Sequence, residues 1–203
     1  MKLYSSTETA APNPRRVAIF LREKGLAIPT ETMSLFKGEH RTAEHKARYS
    51  RGQVPVLELD DGEILTESVA ICRYLESLHP ETPLFGRTPL ETARIDMWTR
   101  RVELILMSPL AQVWVNDHPL TAPLGTQYKD FGAANRPRAE AAMRWIDSEM
   151  DDGWLATGDF TIADIVLLTT LDFGAFIGLP IPADCPKLSA WSDKAHARPS
   201  TKD

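Results

Sequence analysis

Along the first third of the chain the apolar positions change period repeatedly, whereas beyond it every strong pattern is helical. Lys2 to Ser5 reads as a short strand and is followed by a loop of Ser, Thr, Ala and Pro. Pro12 and Pro14 open a helix, where a missing N–H costs nothing. Val17, Ala18, Phe20 and Leu21 mark its apolar face and Gly25 its stop. Ile28 to Leu35 is a second strand with weak alternation, and Lys37 to Arg51 is polar and irregular. Val54 to Leu59, Asp60-Asp61-Gly62 and Glu63 to Leu65 form a β-hairpin pattern around an Asp-Gly turn. A helix follows with Val69, Ala70, Ile71, Tyr74, Leu75 and Leu78 on its apolar side. This order is α/β and is complete by His79.

Pro80, Pro83, Gly86 and Pro89 then punctuate the chain as a linker does. Leu90 to Val115 carries Ile95, Trp98, Val102 and Ile105 at helical spacing, and Pro109 is expected to kink it. Arg138 to Met150 is a further long helix. Thr161-Ile162-Ala163-Asp164 has the form of a capping box, with Phe160 and Ile165 spaced for a hydrophobic staple, opening a helix over Ile162 to Phe173. The expected organisation is an α/β domain over residues 1–80, a linker over 81–89 and an all-helical domain over 90–203.

Composition narrows the partners. Hydrophobic residues make up 43% and charged residues 25%, a globular balance, and the formal net charge is -5 without a basic block. Nucleic acid and anionic membranes are therefore not expected partners. No apolar run is long enough to span a membrane, and the first residues lack the apolar core of a signal peptide. Cys72 and Cys185 are isolated, giving neither a disulfide framework nor metal-ligand spacing, so a cytoplasmic protein without a metal is expected.

Three features carry candidate chemistry. Pro55 falls where a strand begins and would remove a ladder hydrogen bond. Either the strand is an edge, or the bond before Pro55 is cis and the Val54 backbone turns outward to bind a ligand. Thr66-Glu67-Ser68 opens a helix. Ser68 and the first-turn amides would take a carboxylate there while Glu67 pairs with an ammonium; ordinary capping is the alternative. Lys37-Gly38-Glu39-His40-Arg41 offers several cations for a second anion, unless it is simply solvated. Together these would suit one extended zwitterionic peptide such as glutathione.

The run Gly52-Gln53-Val54-Pro55-Val56-Leu57, with Leu65-Thr66-Glu67-Ser68-Val69-Ala70-Ile71, resembles the glutathione-site signature of cytosolic glutathione transferases. Gly38-Glu39-His40 is similar to the loop that holds the glycine carboxylate in plant phi-type enzymes. Phe160 to Asp164 and the ending Trp191 to Ser200 resemble elements of the family's C-terminal domain. The resemblance implies a thioredoxin-like N-terminal domain followed by an all-α helical bundle, glutathione as co-substrate, a small hydrophobic electrophile as second substrate, and a homodimer. It also implies that Val54 and Pro55 hold the cysteinyl part, Glu67 and Ser68 the γ-glutamyl end, and Gln53, His40 and Arg41 (or Lys37) the glycyl end.

Activity in that family rests on a glutathione thiolate, usually stabilised by a Tyr or Ser hydroxyl. Here Ala11 occupies the serine position, Tyr4 reads as core, and no Cys lies near the site. Ala11-Pro12-Asn13-Pro14-Arg15-Arg16-Val17 is similar to an atypical fungal and bacterial class lacking those groups. In that class the helix N-terminus and a water held by the helical domain stabilise the thiolate. The resemblance makes Asn13 and His118 the catalytic candidates, with Asn116 an alternative to His118 and Ser5, Ser6, Thr7 and Thr9 as other hydroxyls. Met107, Trp114 and Phe176 are candidate walls for the electrophile. Arg15 and Arg16 oppose the dipole at a helix start; they would meet acidic groups across a dimer interface, balance the glutathione thiolate or be solvated, and one or other of the pair is expected to be solvated. A non-catalytic binding or interaction protein of the same fold is the competing expectation.

Overall fold

The computed structural model describes residues 1–202. Strand β1 (Lys2–Ser6) leads into helix α1 (Pro12–Lys24), closed by Gly25 in the left-handed region at φ 64°, whose N–H returns to the Arg22 and Leu21 carbonyls. Strand β2 (Thr30–Met33) is shorter than its sequence pattern, because it lies at the sheet edge with Pro29 before it and three of its four residues exposed. After the short helix α2 (Ala43–Arg48) come β3 (Val56–Glu58), β4 (Ile64–Thr66) and helix α3 (Ser68–Leu78). The sheet order is β2-β1-β3-β4, with β1 and β2 parallel and the other two pairings antiparallel.

Side-chain alternation divides the sheet into two faces. Leu3 and Leu57 are paired across β1 and β3 and join the main core with Val17, Phe20, Ile71 and Leu75. Tyr4 and Val56 are the next pair and form a smaller cluster with Met33 on the other face. There the His45 ring of α2 meets Tyr4 edge-on, and the Tyr4 hydroxyl donates to Glu58 at 2.9 Å. Tyr4 is core, as expected. So is Cys72, whose thiol is pushed far up by burial.

The second domain is helical. Helix α4 (Pro89–Arg101) starts with a reciprocal Thr88/Glu91 capping box and runs through a π turn (Val102–Met107) into α5 (Ser108–Asn116). The π turn answers to Pro109. Proline has no N–H for the carbonyl four residues back, and the widened turn lets the Ser108 N–H reach Glu103. A 3-10 strap (Pro119–Leu124) precedes α6 (Lys129–Glu149), α7 (Ile162–Phe176) and α8 (Pro186–His196). Helix α6 starts before Arg138, and Pro137 sits inside it. Its first turn is held by the Asn116 side chain, which accepts the Tyr128 N–H, and by Gly132, where a Cβ would lie 2.7 Å from Asp117. No described helix is long and apolar enough to cross a membrane.

Helix α7 is the axis of the bundle, buried at every residue from Ile162 to Leu171. Asp164 fixes its start. One carboxylate oxygen accepts the Thr161 N–H and hydroxyl, both at 2.9 Å. The other accepts the Leu155 N–H at 2.8 Å and the Trp191 indole N–H at 3.2 Å. Burial pushes its carboxyl up, and these donors only partly oppose that. The capping box was legible; the two distant donors were not.

Arg15 and Arg16 correct the sequence reading. Neither is solvated. Arg15 pairs with Asp172 of α7 and donates to the Thr201 carbonyl. Arg16 is 3% exposed, and its guanidinium reaches Thr169, Thr170 and Glu103 of the helical domain at 3.2–3.3 Å. The opposed dipole is outweighed because both cations are spent joining α1 to the helical domain.

Asp164→Ala is expected to strand buried donors and destabilise the fold by about 3 kcal/mol or more, lowering Tm by roughly 10 °C. Thermal unfolding followed by circular dichroism checks it; an unchanged Tm would show that these bonds are dispensable.

Candidate active site

Between the two domains lies an open cavity of about 830 Å³. Its floor is built where the pairing of β3 stops. The ladder between β1 and β3 ends at Tyr4 and Val56, so Val54 and Pro55 precede the strand and face the cavity instead. The Val54–Pro55 peptide bond is cis, which decides between the two readings of Pro55. The His45 ring nitrogen Nε2 holds the Gln53 carbonyl at 2.8 Å, and the Arg51 Nε donates to the Gln53 side chain at 3.1 Å.

Two helices aim their N-termini at this space. At α3, Glu67 has φ 66° and ψ 116°, outside the regions open to L-residues and worth about 1–3 kcal/mol of strain. Its side chain makes no capping bond, which removes the plain capping alternative for Glu67, and both Glu67 and Ser68 line the cavity. The Ser68 hydroxyl receives a long contact of 3.5 Å from Arg16. At α1, Ala11 is the N-cap and offers no side-chain bond. Pro12 and Pro14 have no N–H, so Asn13 supplies the backbone donor of that first turn. Ala11, Asn13 and Pro14 all line the cavity.

The third side is the loop 34–41, contributing Phe36, Lys37, Gly38, His40 and Arg41. His40 accepts from the Arg41 Nε at 3.2 Å, and burial, with Arg41 beside it, lowers its pKa. Gly52 supports this loop from behind at φ 57°, its Cα so close that a Cβ would lie 2.9 Å from the His40 carbonyl oxygen. Glu8, absent from the sequence reading, also faces the cavity. Its carboxylate accepts from the Ser6 hydroxyl at 2.6 Å, the Ser34 hydroxyl at 2.8 Å and the Leu35 N–H at 3.0 Å. Burial pushes that carboxyl up, but the Leu35 N–H and the hydroxyls of Ser6, Ser34 and Thr7 outweigh it and hold the pKa at about 2.

The helical domain supplies an apolar wall: Met107, Ala111 and Trp114 before the strap, Phe173 and Phe176 on α7, and Leu120 and Leu124 from the strap. Met107, Trp114 and Phe176, the candidate walls, line the cavity. His118 does not. Its ring is tilted against Trp114, with centroids 4.7 Å apart, and stacks on Phe176 at 6.1 Å, while its Nδ1 accepts the Leu120 N–H at 3.3 Å. Burial lowers its pKa. Asn116 is likewise outside the lining, engaged with Gln112 and Tyr128. Proline-rich spacing hid Leu120 and Leu124, because a 3-10 strap has no amphipathic period. Among the described residues no cluster of His, Cys, Asp and Glu is placed to hold a metal.

A small mixed sheet bearing a cis-proline and a helix N-terminus, set against an all-helical bundle, defines a thioredoxin-like domain joined to a helical domain around one cavity. Residues 10–78 match the glutathione S-transferase N-terminal domain and residues 119–199 the C-terminal domain. The chain is 37% identical to glutathione S-transferase 2 of Saccharomyces cerevisiae, over 95% of this chain and 85% of the yeast protein. The crystal structure of Gtt2 from S. cerevisiae superposes with a TM-score of 0.90 at 35% identity, covering 99% and 98% of the two chains. A glutathione S-transferase domain-containing protein from Marinobacter aquaeolei gives 0.92 at 33% identity over the full length of both. The chain belongs to the glutathione S-transferase family.

Gly52→Ala is expected to push the loop carrying His40 outward and to destabilise the protein by about 1–3 kcal/mol; urea unfolding measures it. Glu8 contributes stability that is complete above its ordinary pKa of 4.5 and is lost as pH falls toward about 2. The difference in urea midpoint between wild type and Glu8→Gln should therefore shrink from about pH 6 to about pH 3, and a constant difference would contradict it.

Proposed function

We propose that the protein is a glutathione transferase in which the thiolate of bound glutathione attacks a small hydrophobic electrophile. The observation that carries this reading is the convergence, on one cavity, of Val54 just ahead of the β3 ladder, a helix N-terminus with Glu67 and Ser68, a cationic loop, and an apolar wall. Glutathione fits that donor set. Its γ-glutamyl carboxylate lies at the α3 N-terminus by Ser68, with its ammonium near Glu67. The cysteinyl amide runs along Val54 beside Pro55. The glycyl carboxylate meets His40, Arg41 and Gln53, with Lys37 and Arg51 adding charge.

The thiol then lies over the start of α1. Ala11 has no donor, so the positive end of the helix dipole and the Asn13 N–H and side-chain amide stabilise the thiolate. His118 acts at most through Trp114 in this arrangement and is a weaker candidate than Asn13. Lowering the thiol pKa from about 8.5 to about 6.5 would raise the thiolate fraction at pH 7 about 25-fold. The electrophile rests on Met107, Trp114 and Phe176. We take the working form to be a cytoplasmic homodimer; the exposed apolar side chains Met97, Leu104 and Ile105 around the π turn support a covered face there.

The missing donor at Ala11 also favours a second reading, a glutathione-binding protein without turnover. Ultraviolet thiolate absorbance of bound glutathione, titrated against pH, separates the two. The expected result is a pKa one to two units below about 8.5, raised again in Asn13→Ala, with Glu67→Ala weakening binding about tenfold or more. Binding with an unshifted pKa would sink the transferase reading and leave the binding protein.

A further inference from the structure

Glu8 belongs to the loop between β1 and α1 but spends its carboxylate on the loop after β2. Its own backbone is committed to the first loop: the Glu8 N–H donates to the Ser6 hydroxyl at 2.9 Å, and the Glu8 carbonyl accepts the Ala11 N–H at 3.1 Å. The carboxylate then crosses to Ser34 and Leu35, where it anchors the segment leading to Lys37, His40 and Arg41. The Ser34 hydroxyl in turn accepts the Lys37 N–H at 3.3 Å. One side chain thus ties the segment bearing Ala11 and Asn13 to the segment bearing the cations.

Carboxylates have about four acceptor positions, and the donors of Ser6, Thr7, Ser34 and Leu35 are aimed at them from both loops. A group so satisfied is poorly suited to take a proton from a thiol, and its capacity is used in holding two stretches of backbone together. Neither stretch has regular structure at that point, and Thr7 N–H to Met33 carbonyl, at 3.1 Å, is the backbone bond beside the clamp. The β1–β2 ladder ends at Ser6 and Met33, and beyond it Glu8 is the side chain that joins the two loops.

We propose that Glu8 is a positioning residue that sets the distance between the thiol end and the glycyl end of the glutathione site, and so makes the protein prefer the tripeptide over its glycine-lacking dipeptide. The inference rests on the glutathione reading above and extends it to how ligand length is recognised. In glutathione the glycyl carboxylate must reach the loop 34–41 while the sulfur stays over Asn13. The dipeptide γ-glutamylcysteine reaches only the second of these. A loose clamp leaves the dipeptide unaffected and costs the tripeptide its far contact.

Calorimetric titration of both ligands into wild type, Glu8→Gln and Ser34→Ala tests this, with thermal unfolding reporting whether each variant is folded. Wild type should prefer glutathione. Glu8→Gln should weaken glutathione about tenfold while changing γ-glutamylcysteine less than about twofold, because the amide cannot accept at all the positions the carboxylate does. Ser34→Ala, which removes one donor from the same clamp, should move in the same direction by less. Equal weakening of both ligands would overturn the proposal in favour of a merely structural role, as would an unchanged preference in both folded variants. Wild type binding both ligands equally would overturn the proposal while leaving the γ-glutamyl and thiol sites standing. Failure of wild type to bind either would instead remove the glutathione reading itself.

Discussion

The guanidinium of Arg16 is buried where α1, α3, α7 and the π turn meet, and the relation of the two domains depends on how that charge is satisfied. Burial lowers its pKa and Glu103 opposes the shift. A desolvated charge is tolerable only where partners surround it in fixed geometry. Thr169 and Thr170 from one domain and Ser68 from the other provide that geometry. The same guanidinium that joins the domains at this seam therefore also touches Ser68, on the helix turn lining the cavity.

Around that seam the electrostatics of the cavity are one-sided. Helices α1 and α3 both present N-termini, the loop 34–41 adds the cations Lys37 and Arg41, and Arg51 stands beside Gln53. Positive dipole ends and cations suit a ligand with two carboxylates and an ionisable thiol. Glu8 is a carboxylate in this lining alongside Glu67, and its charge is absorbed by its own loop donors rather than offered to the ligand. Opposite them the helical wall carries aromatic and aliphatic side chains and no formal charge, so polar recognition and apolar recognition are divided between the domains.

The strained backbone of Glu67 and the cis peptide at Pro55 fall next to each other across β3 and β4, where Val56 pairs with Thr66. Local departures from ordinary backbone geometry thus gather at the cavity rather than scatter through the fold. The π turn belongs with them in position: Met107 at its end lines the cavity, and Glu103 within it holds Arg16. A proline placed to spoil a long helix is accommodated by a turn that supplies one residue to the site and one to the seam.

Chain neighbours alone account for the Asp-Gly hairpin, the Gly25 stop and the Thr161/Asp164 cap. Those rest on turn chemistry, capping and alternation, which act over a few residues. Tertiary structure decided the rest. It gave Arg15 and Arg16 partners more than eighty residues away, extended α6 back across Pro137 by seating Gly132 against Asp117, and turned His118 against Trp114. It also brought Glu8 to a loop that no periodicity links to it. Charges and breakers are read locally as exposed or terminating, yet their cost is settled by whichever partners packing delivers, and that information lies in the folded contacts alone.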